Sequence, residues 1–198
     1  MKLPIAILIF ALAALPAAAA EKLSLGAISN YLNGIATAQS EFTQINDDGT
    51  ISTGTVYIKR PGKMRFEYNP PDQTLVVAGN QAVAIFDKKS NVPNETYPLH
   101  RTPLSIILAP RVDLSRARMV TGHGFDGTAT QVTAQDPDNP EYGNITMSFT
   151  GAPVELRQWT VNDANGGQTT VILGELKLGG SLPNRLFNTG GSSSGSDR

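Results

Sequence analysis

The chain contains no cysteine and only two histidines, His100 and His123. The missing cysteine excludes a disulfide framework, a thiol nucleophile and a lipid attached through a cysteine. Neither histidine lies in a recognisable catalytic context, and no nucleophile elbow is found. We therefore expect a protein that is not an enzyme and that needs no metal or other cofactor.

A strong net charge is also missing. The chain carries 16 lysines and arginines against 17 aspartates and glutamates, a formal charge of −1 at pH 7. Such a balance gives no long-range attraction to nucleic acid or to an anionic membrane. We expect no nucleic-acid partner, and a ligand recognised mainly by something other than charge.

A strongly apolar run occurs at the N-terminus, where it follows one lysine and precedes four alanines that end at Ala20. This order is typical of a cleaved secretory signal, because a membrane anchor would need about 20 apolar residues. We assign residues 1–20 to a signal peptide cleaved near Ala20. Residues 188–198 are rich in glycine and serine and should form a disordered tail, which leaves one domain at 21–187.

A helix should open the mature chain. Ser24 can cap it, and we expect it to end near Thr37. Its apolar residues recur at helical spacing: Leu25, Ile28, Leu32 and Ile35.

Period-two alternation begins at Ser40 and indicates strands. Five runs fall within about fifty residues: EFTQIN, TVYIKR, MRFEY, QTLVVAG and QAVAIFD. Their connections are too short for crossover helices, so the strands must be largely antiparallel. TATQVTA, NITMSFT, VELRQWTV and TTVILGELKLG continue the pattern. About nine to eleven strands will curl into a sandwich or a barrel that can stay open, and we favour one strongly curved sheet.

The segment RTPLSIILAP interrupts the strands. Thr102 can cap a helix there, Pro103 suits its first position and Pro110 ends it near Ala109. A helix of two turns is marginal alone, so it must dock on an apolar surface. Its apolar stripe would be Leu104, Ile107 and Leu108.

Two further motifs resemble binding sites but are better explained as turns. DPDNPEYGN brings Asp136, Asp138 and Glu141 together, yet it contains two prolines and lacks EF-hand spacing. The glycines of TGHGFDG precede no helical pattern, so they should be turn residues and not a phosphate-binding loop.

The stretch VYIKRPGKMRFEY raises the main question of the sequence. Arg60 has the same parity as Val56 and Ile58, so an unbroken strand would aim a permanent cation at the apolar face. Ordinary core packing does not require a cation in that place.

Residues 54–92, GTVYIKRPGKMRFEYNPPDQTLVVAGNQAVAIFDKKSNV, resemble the outer-membrane lipoprotein carrier protein family, LolA. The shared pattern is a strand ending in Lys-Arg-Pro, an aromatic-rich strand, an apolar strand, a glycine turn and a strand ending in an aromatic residue and Asp. FTQ at 42–44 and TPLSIIL at 102–108 match further family segments in order. The resemblance implies a mainly β fold, an open antiparallel half-barrel of about 11 strands, closed by short helices over a hydrophobic cavity.

The resemblance also implies a function. Family members are periplasmic chaperones that take acylated lipoproteins from an inner-membrane ABC-type lipoprotein-releasing complex and carry them to an outer-membrane lipoprotein acceptor. We expect a monomer. In the family, the arginine of Lys-Arg-Pro bonds to the lid backbone and holds the empty carrier shut, so Arg60 would be the lid latch. Arg60→Leu should then spare folding and loading but impair hand-over.

The acyl-chain cavity can be predicted from the same strands, although each residue could instead belong to an ordinary core. The predicted cavity residues are Val56, Ile58, Met64, Phe66, Tyr68, Val76 and Ile85. The predicted lid residues are Leu104, Ile107 and Leu108.

Two departures from the family keep an alternative open. The strand ending at Asp87 carries Ile85-Phe86 where members often have tryptophan, and LGGSLPNRLFNTGG aligns only loosely with the usual C-terminus. The alternative is a same-fold periplasmic lipid-binding or sensing protein with a different lipid ligand. An enzyme acting on lipid or glycan is the third hypothesis.

Overall fold

The computed structural model describes residues 21–87 and 94–190. The predicted signal peptide and residues 191–198 of the predicted tail lie outside the described residues. The described part of the chain contains two α-helices, α1 (Leu25–Gly34) and α2 (Leu104–Leu108), and short 3-10 helices at Leu99–Arg101, Pro140–Tyr142 and Asn184–Phe187. Its strands are β1 (Thr37–Ile45), β2 (Ile51–Lys59), β3 (Lys63–Tyr68), β4 (Thr74–Gly79), β5 (Ala82–Asp87), β6 (Glu95–Pro98), β7 (Val120–Phe125), β8 (Thr130–Gln135), β9 (Asn144–Thr150), β10 (Glu155–Asn162), β11 (Gln168–Leu173) and β12 (Lys177–Leu178).

These strands form one antiparallel sheet in the order β6-β5-β4-β3-β2-β1-β11-β10-β9-β8-β7, and β12 pairs separately with β1. The path does not close, since β6 and β7 are its two ends. The predicted open antiparallel half-barrel of about 11 strands is therefore confirmed.

Alternation along the strands separates an inner from an outer face. In β2, Ser52, Gly54, Val56 and Ile58 are buried and their neighbours are more exposed. Antiparallel register places Val56 opposite Phe66 on β3, so the inner positions of adjacent strands face the same side. The inner face carries the core, and both helices cover parts of it.

Gly54 allows close packing where β1, β2 and β3 meet. It lies opposite Phe42 on β1 and Tyr68 on β3. A Cβ atom at this position would lie 2.1 Å from the Glu67 carbonyl oxygen and 2.8 Å from the Phe42 ring. The Glu67 backbone and the Phe42 ring therefore fill the space that a side chain at Gly54 would need.

The cap of α1 is as predicted, because the Ala27 backbone amide donates to Ser24 Oγ at 3.1 Å. The predicted end near Thr37 is wrong. The helix ends at Gly34, and Thr37 already begins β1, where it pairs with Lys59. Sheet pairing outweighs the helical spacing of the last turn.

The predicted lid helix forms at Leu104–Leu108, but Thr102 does not cap it. The Thr102 hydroxyl instead donates to the Leu99 carbonyl at 2.9 Å, and so belongs to the preceding 3-10 helix.

TGHGFDG is likewise not a turn over most of its length. Val120–Phe125 form strand β7, and the turn begins only at Asp126. The sequence did not indicate this strand because Gly122 and Gly124 have no side chains to show the apolar alternation typical of strands.

The C-terminal residues cross the outer face of the sheet. We call residues 179–187 the C-terminal strap. Phe187 is buried beside Gly79 of β4, where a Cβ on the glycine would lie 2.1 Å from the Phe187 carbonyl oxygen. Val77 and Ala84 face outward by register, yet they are buried in the same region. The strap thus covers a small apolar cluster outside the main core.

Candidate ligand cavity and its lid

A cavity of about 530 Å³ lies between the inner face of the sheet, the 3-10 helix at Leu99–Arg101 and the start of α2. It is partly open to solvent, and its size is within the ~300–1,000 Å³ typical of ligand pockets. Its apolar lining comes from both halves of the chain: Phe66, Val76, Val83, Ile85, Leu104, Trp159, Val161 and Val171.

Aromatic rings form the floor of this cavity. Phe42 packs edge-to-face against Phe66 and Tyr68, with ring centroids 5.3 and 5.2 Å apart. Trp159 on β10 meets Phe66 with centroids 6.3 Å apart. Edge-to-face contacts stabilise rings beyond the burial of their area, so the floor is a packed aromatic surface supplied by strands from both halves of the sheet.

One end of the cavity is polar. The Tyr68 hydroxyl donates to Gln44 Oε1 at 2.7 Å, and Gln44 Nε2 donates to Asn46 Oδ1 at 2.6 Å. Burial raises the pKa of Tyr68 to about 12. Asp163 and Asn165, from the turn between β10 and β11, complete this end. The cavity can therefore hold a ligand that is apolar along most of its length and polar at one end.

Arg60 lies at the opposite end of β2 from the turn that contains Asn46, and it joins the ends of both helices. Its guanidinium donates to the Leu32 carbonyl of α1 and, at 2.7 Å, to the Ala109 carbonyl that follows α2. It also reaches Asn33 Oδ1 at 3.3 Å. Both carbonyls lie at helix ends: the Leu32 carbonyl also accepts from the Ile35 amide at 3.3 Å, and Ala109 follows the last residue of α2. Charge-assisted bonds from one planar group thus hold the two ends together. We call Arg60 with these three acceptors the latch.

Neighbouring bonds reinforce the latch. The Gly62 amide donates to the Leu108 carbonyl at 2.9 Å. The Asn33 side chain donates to the Val112 carbonyl and accepts from the Val112 amide, both at 2.8 Å. Burial lowers the pKa of Arg60, and its Nε is buried without a hydrogen-bond partner. Desolvation of the Arg60 guanidinium therefore costs free energy, which opposes the hydrogen bonds that hold the helix ends together.

The predicted site residues fall into two groups, those that line the cavity and those that lie in the core beyond it. Phe66, Tyr68, Val76, Ile85 and the lid residue Leu104 line the cavity. The others are packed inside the core beyond it: Val56, Ile58, Met64, Ile107 and Leu108. Parity identified the correct face for the strand residues, but it does not tell how far along the strand the cavity extends. Contact of either group with an acyl chain stays a prediction.

Sequence reasoning missed the wall contributed by the second half of the chain. Trp159, Val161 and Val171 lie on β10 and β11 and line the cavity. VELRQWTV carried the signal, since Trp159 and Val161 alternate in phase. The register of β11 against β1 was needed to place them beside Gln44.

A second depression, of about 490 Å³, lies on the outer face around Thr43, Thr53 and Gly174. Its wall exposes more polar than apolar surface and includes Glu41, three threonines and Asn69, so it suits an apolar ligand less well. Within residues 21–87 and 94–190, no cluster of histidine, cysteine, aspartate and glutamate could hold a metal ion. The same residues include no helix with the length and apolar character needed to cross a membrane.

Comparison with known proteins agrees with this architecture. An outer-membrane lipoprotein carrier protein of Cupriavidus pinatubonensis is 27% identical over 172 residues, covering 81% of this chain and 80% of that protein. One of Azotobacter vinelandii is 23% identical over 183 residues, covering 88% and 87%. A solved structure of a DUF1329 family protein from Desulfovibrio piger shares the fold with a TM-score of 0.50, at 11% identity, over 83% of this chain and 94% of that one.

The model of the family described as outer membrane lipoprotein carrier protein LolA matches residues 33–189. That match includes the latch arginine, the lid helix and every strand of the sheet. Because it covers most of the sequence, the chain belongs to the LolA family.

Proposed function

We propose that this chain is a periplasmic chaperone that binds the acyl chains of lipoproteins in its inner cavity and hands them on chemically unchanged. The observation that carries the proposal is an apolar cavity roofed by a five-residue helix, whose end is tied down by hydrogen bonds from Arg60. An apolar cavity suits an acyl chain, and a lid held by polar bonds can reopen.

The free energies are compatible with such a cycle. Each methylene moved out of water contributes about 0.8 kcal/mol, so ten contribute ~8 kcal/mol. Each bond from a charged donor contributes about 1.5–3 kcal/mol before desolvation is subtracted. Acyl chains can therefore displace the latch, and latch formation favours the empty, closed carrier when the cargo leaves. The empty carrier regains these bonds only after release, which lowers the free energy of hand-over.

Transport across the periplasm requires a donor and an acceptor. We propose an inner-membrane ABC-type lipoprotein-releasing complex as the donor and an outer-membrane lipoprotein acceptor as the recipient. The support is membership of the LolA family, in which relatives are named outer-membrane lipoprotein carrier proteins. A secretory signal at residues 1–20 would provide the route of export.

Release of cargo from membranes tests the proposal. Residues 21–198 are added to spheroplasts that contain an active donor complex, and the soluble fraction is examined for acylated lipoprotein bound one-to-one. Val76→Glu places a charge in the cavity wall and should abolish the complex. Leu75→Glu is the matched control, because the adjacent residue of β4 faces the other side of the sheet and should leave release intact.

Crosslinking locates the acyl chains directly. Benzoylphenylalanine in place of Phe66 should crosslink to bound lipoprotein, whereas the same group in place of Glu67, on the outer face, should not. Absence of any complex, with folded protein and an active donor, would refute the carrier. Lipid that co-purifies in the cavity would then identify the same-fold lipid-binding alternative.

A further inference from the structure

The turn that carries the latch is held from both faces of the sheet. Residues 60–62 connect β2 to β3, with Lys59 before the turn and Lys63 after it. Arg60 points inward to the helices, while Lys59 and Lys63 point outward to the C-terminal strap. We propose that the strap positions the latch, and that Lys59 is a positioning residue acting through Arg60.

The outward bonds flank the turn closely. Lys59 Nζ donates to the Leu182 carbonyl at 2.6 Å. Lys63 Nζ approaches Asn184 Oδ1 at 3.5 Å, a much weaker contact. The Gly179 amide donates at 3.0 Å to the carbonyl of Thr37, the residue that pairs with Lys59 across β1 and β2. The end of β2 is thus enclosed by the strap on its outer side.

The far end of the strap is anchored independently of the turn. Phe187 is buried against β4, and Arg65 Nη1 on β3 donates to the Leu186 carbonyl at 2.9 Å. Because both ends are fixed, the Leu182 carbonyl has a defined position over Lys59. The strap therefore limits movement of the turn from the outer face of the sheet, whereas the helices and the cavity lie on the inner face.

This arrangement couples the outer face to the lid. A partner that displaces the strap would free Lys59, let the turn move and weaken the bonds of Arg60 to Leu32 and Ala109. Cargo release could then be triggered from the side of the sheet opposite the cavity. The inference rests on the proposed latch function, but the coupling exists in the empty carrier and is measured there.

The experiment measures the lid in the absence of cargo. The chain has no native cysteine, so spin labels at Asn30→Cys on α1 and Ser105→Cys on α2 report the distance between the helices. Lys59→Met removes the bond to the strap, and we expect the population of longer distances to rise roughly twofold to tenfold, as for loss of one hydrogen bond. Lys59→Arg keeps a donor and should restore the parent distribution. Lys177→Met, on exposed β12, is the matched control and should change nothing.

A double-mutant cycle separates positioning from general loosening. If Lys59 acts through Arg60, Lys59→Met should add nothing once Arg60→Leu is present. Effects that add would overturn the inference, as would an unchanged distribution in Lys59→Met when Arg60→Leu opens the lid. No opening in Arg60→Leu would instead refute the latch itself. Phe187→Ala releases the far anchor and provides a second variant, which should also widen the distribution only while Arg60 is present.

Discussion

Replacement of Arg60 by leucine tests the latch most directly. The change removes the bonds to the Leu32 and Ala109 carbonyls and the longer one to Asn33. It places an apolar side chain at a position that shares the inner face with Ile58. The sheet, the aromatic floor and the N-cap of α1 do not use the Arg60 side chain, so we expect the variant to fold.

The magnitude follows from two opposing terms. Two charge-assisted bonds to backbone carbonyls contribute about 3–6 kcal/mol together. Against this, the buried, unpartnered Nε costs ~1–3 kcal/mol, consistent with the lowered pKa of Arg60. At the midpoints of these ranges the net latch is about 2.5 kcal/mol, which corresponds to a change of roughly 70-fold in the ratio of open to closed carrier.

A carrier that closes less readily holds apolar ligands more tightly, because less binding free energy is used to open the lid. Calorimetric titration with a synthetic diacylated peptide should show tighter binding by Arg60→Leu, and transfer from the loaded variant to acceptor-containing membranes should slow. Arg60→Lys keeps the charge but lacks the planar fork that reaches both carbonyls, so its affinity should be intermediate. Unchanged affinity and normal transfer in Arg60→Leu would refute the reasoning.

Two further predictions concern the sheet and the cavity floor. Gly54→Ala should destabilise the protein by ~3 kcal/mol or more in urea unfolding, because the added Cβ meets the Glu67 backbone. Gly124→Ala is the control, since a Cβ there has free space and should change the free energy of unfolding little. Equal effects of the two substitutions would contradict the role given to Gly54. Burial raises the pKa of Tyr68 to about 12, above the ~10 of tyrosine in an unfolded chain, so the unfolded state loses the proton first as the pH rises. The free energy of unfolding should therefore fall by up to about 1.4 kcal/mol per pH unit between pH 10 and 12. Urea unfolding at several pH values should show this fall reduced in Tyr68→Phe, and identical pH slopes would contradict the assignment.

The sequence was most informative where local pattern and burial coincide. The five runs between Ser40 and Asp87 became β1 to β5, because each has one apolar face and a short connection. The inward direction of Arg60 followed from the same parity. Family membership agrees with the open sheet that surrounds it.

The elements that could not be predicted lack an apolar face of their own. Strand β6 is exposed along its whole length, and β7 contains two glycines, so neither alternates clearly. The position of the strap could not be predicted for a similar reason. Phe187, which anchors it, is buried against the outer face of strands that are distant in the sequence. Such contacts depend on strand register and join residues that are far apart in the sequence, and hydrophobic periodicity gives no information on either.

Trp159 is the one tryptophan of the sequence, and it lies on the cavity floor against Phe66. Its indole emission therefore originates beside the space that a ligand would fill. An acyl chain bearing bromine near Trp159 should quench that emission, and one brominated at its other end should quench it less. The unlabelled protein thus contains an optical reporter of occupancy, and graded positions of bromine along the chain would give the direction in which a lipid enters.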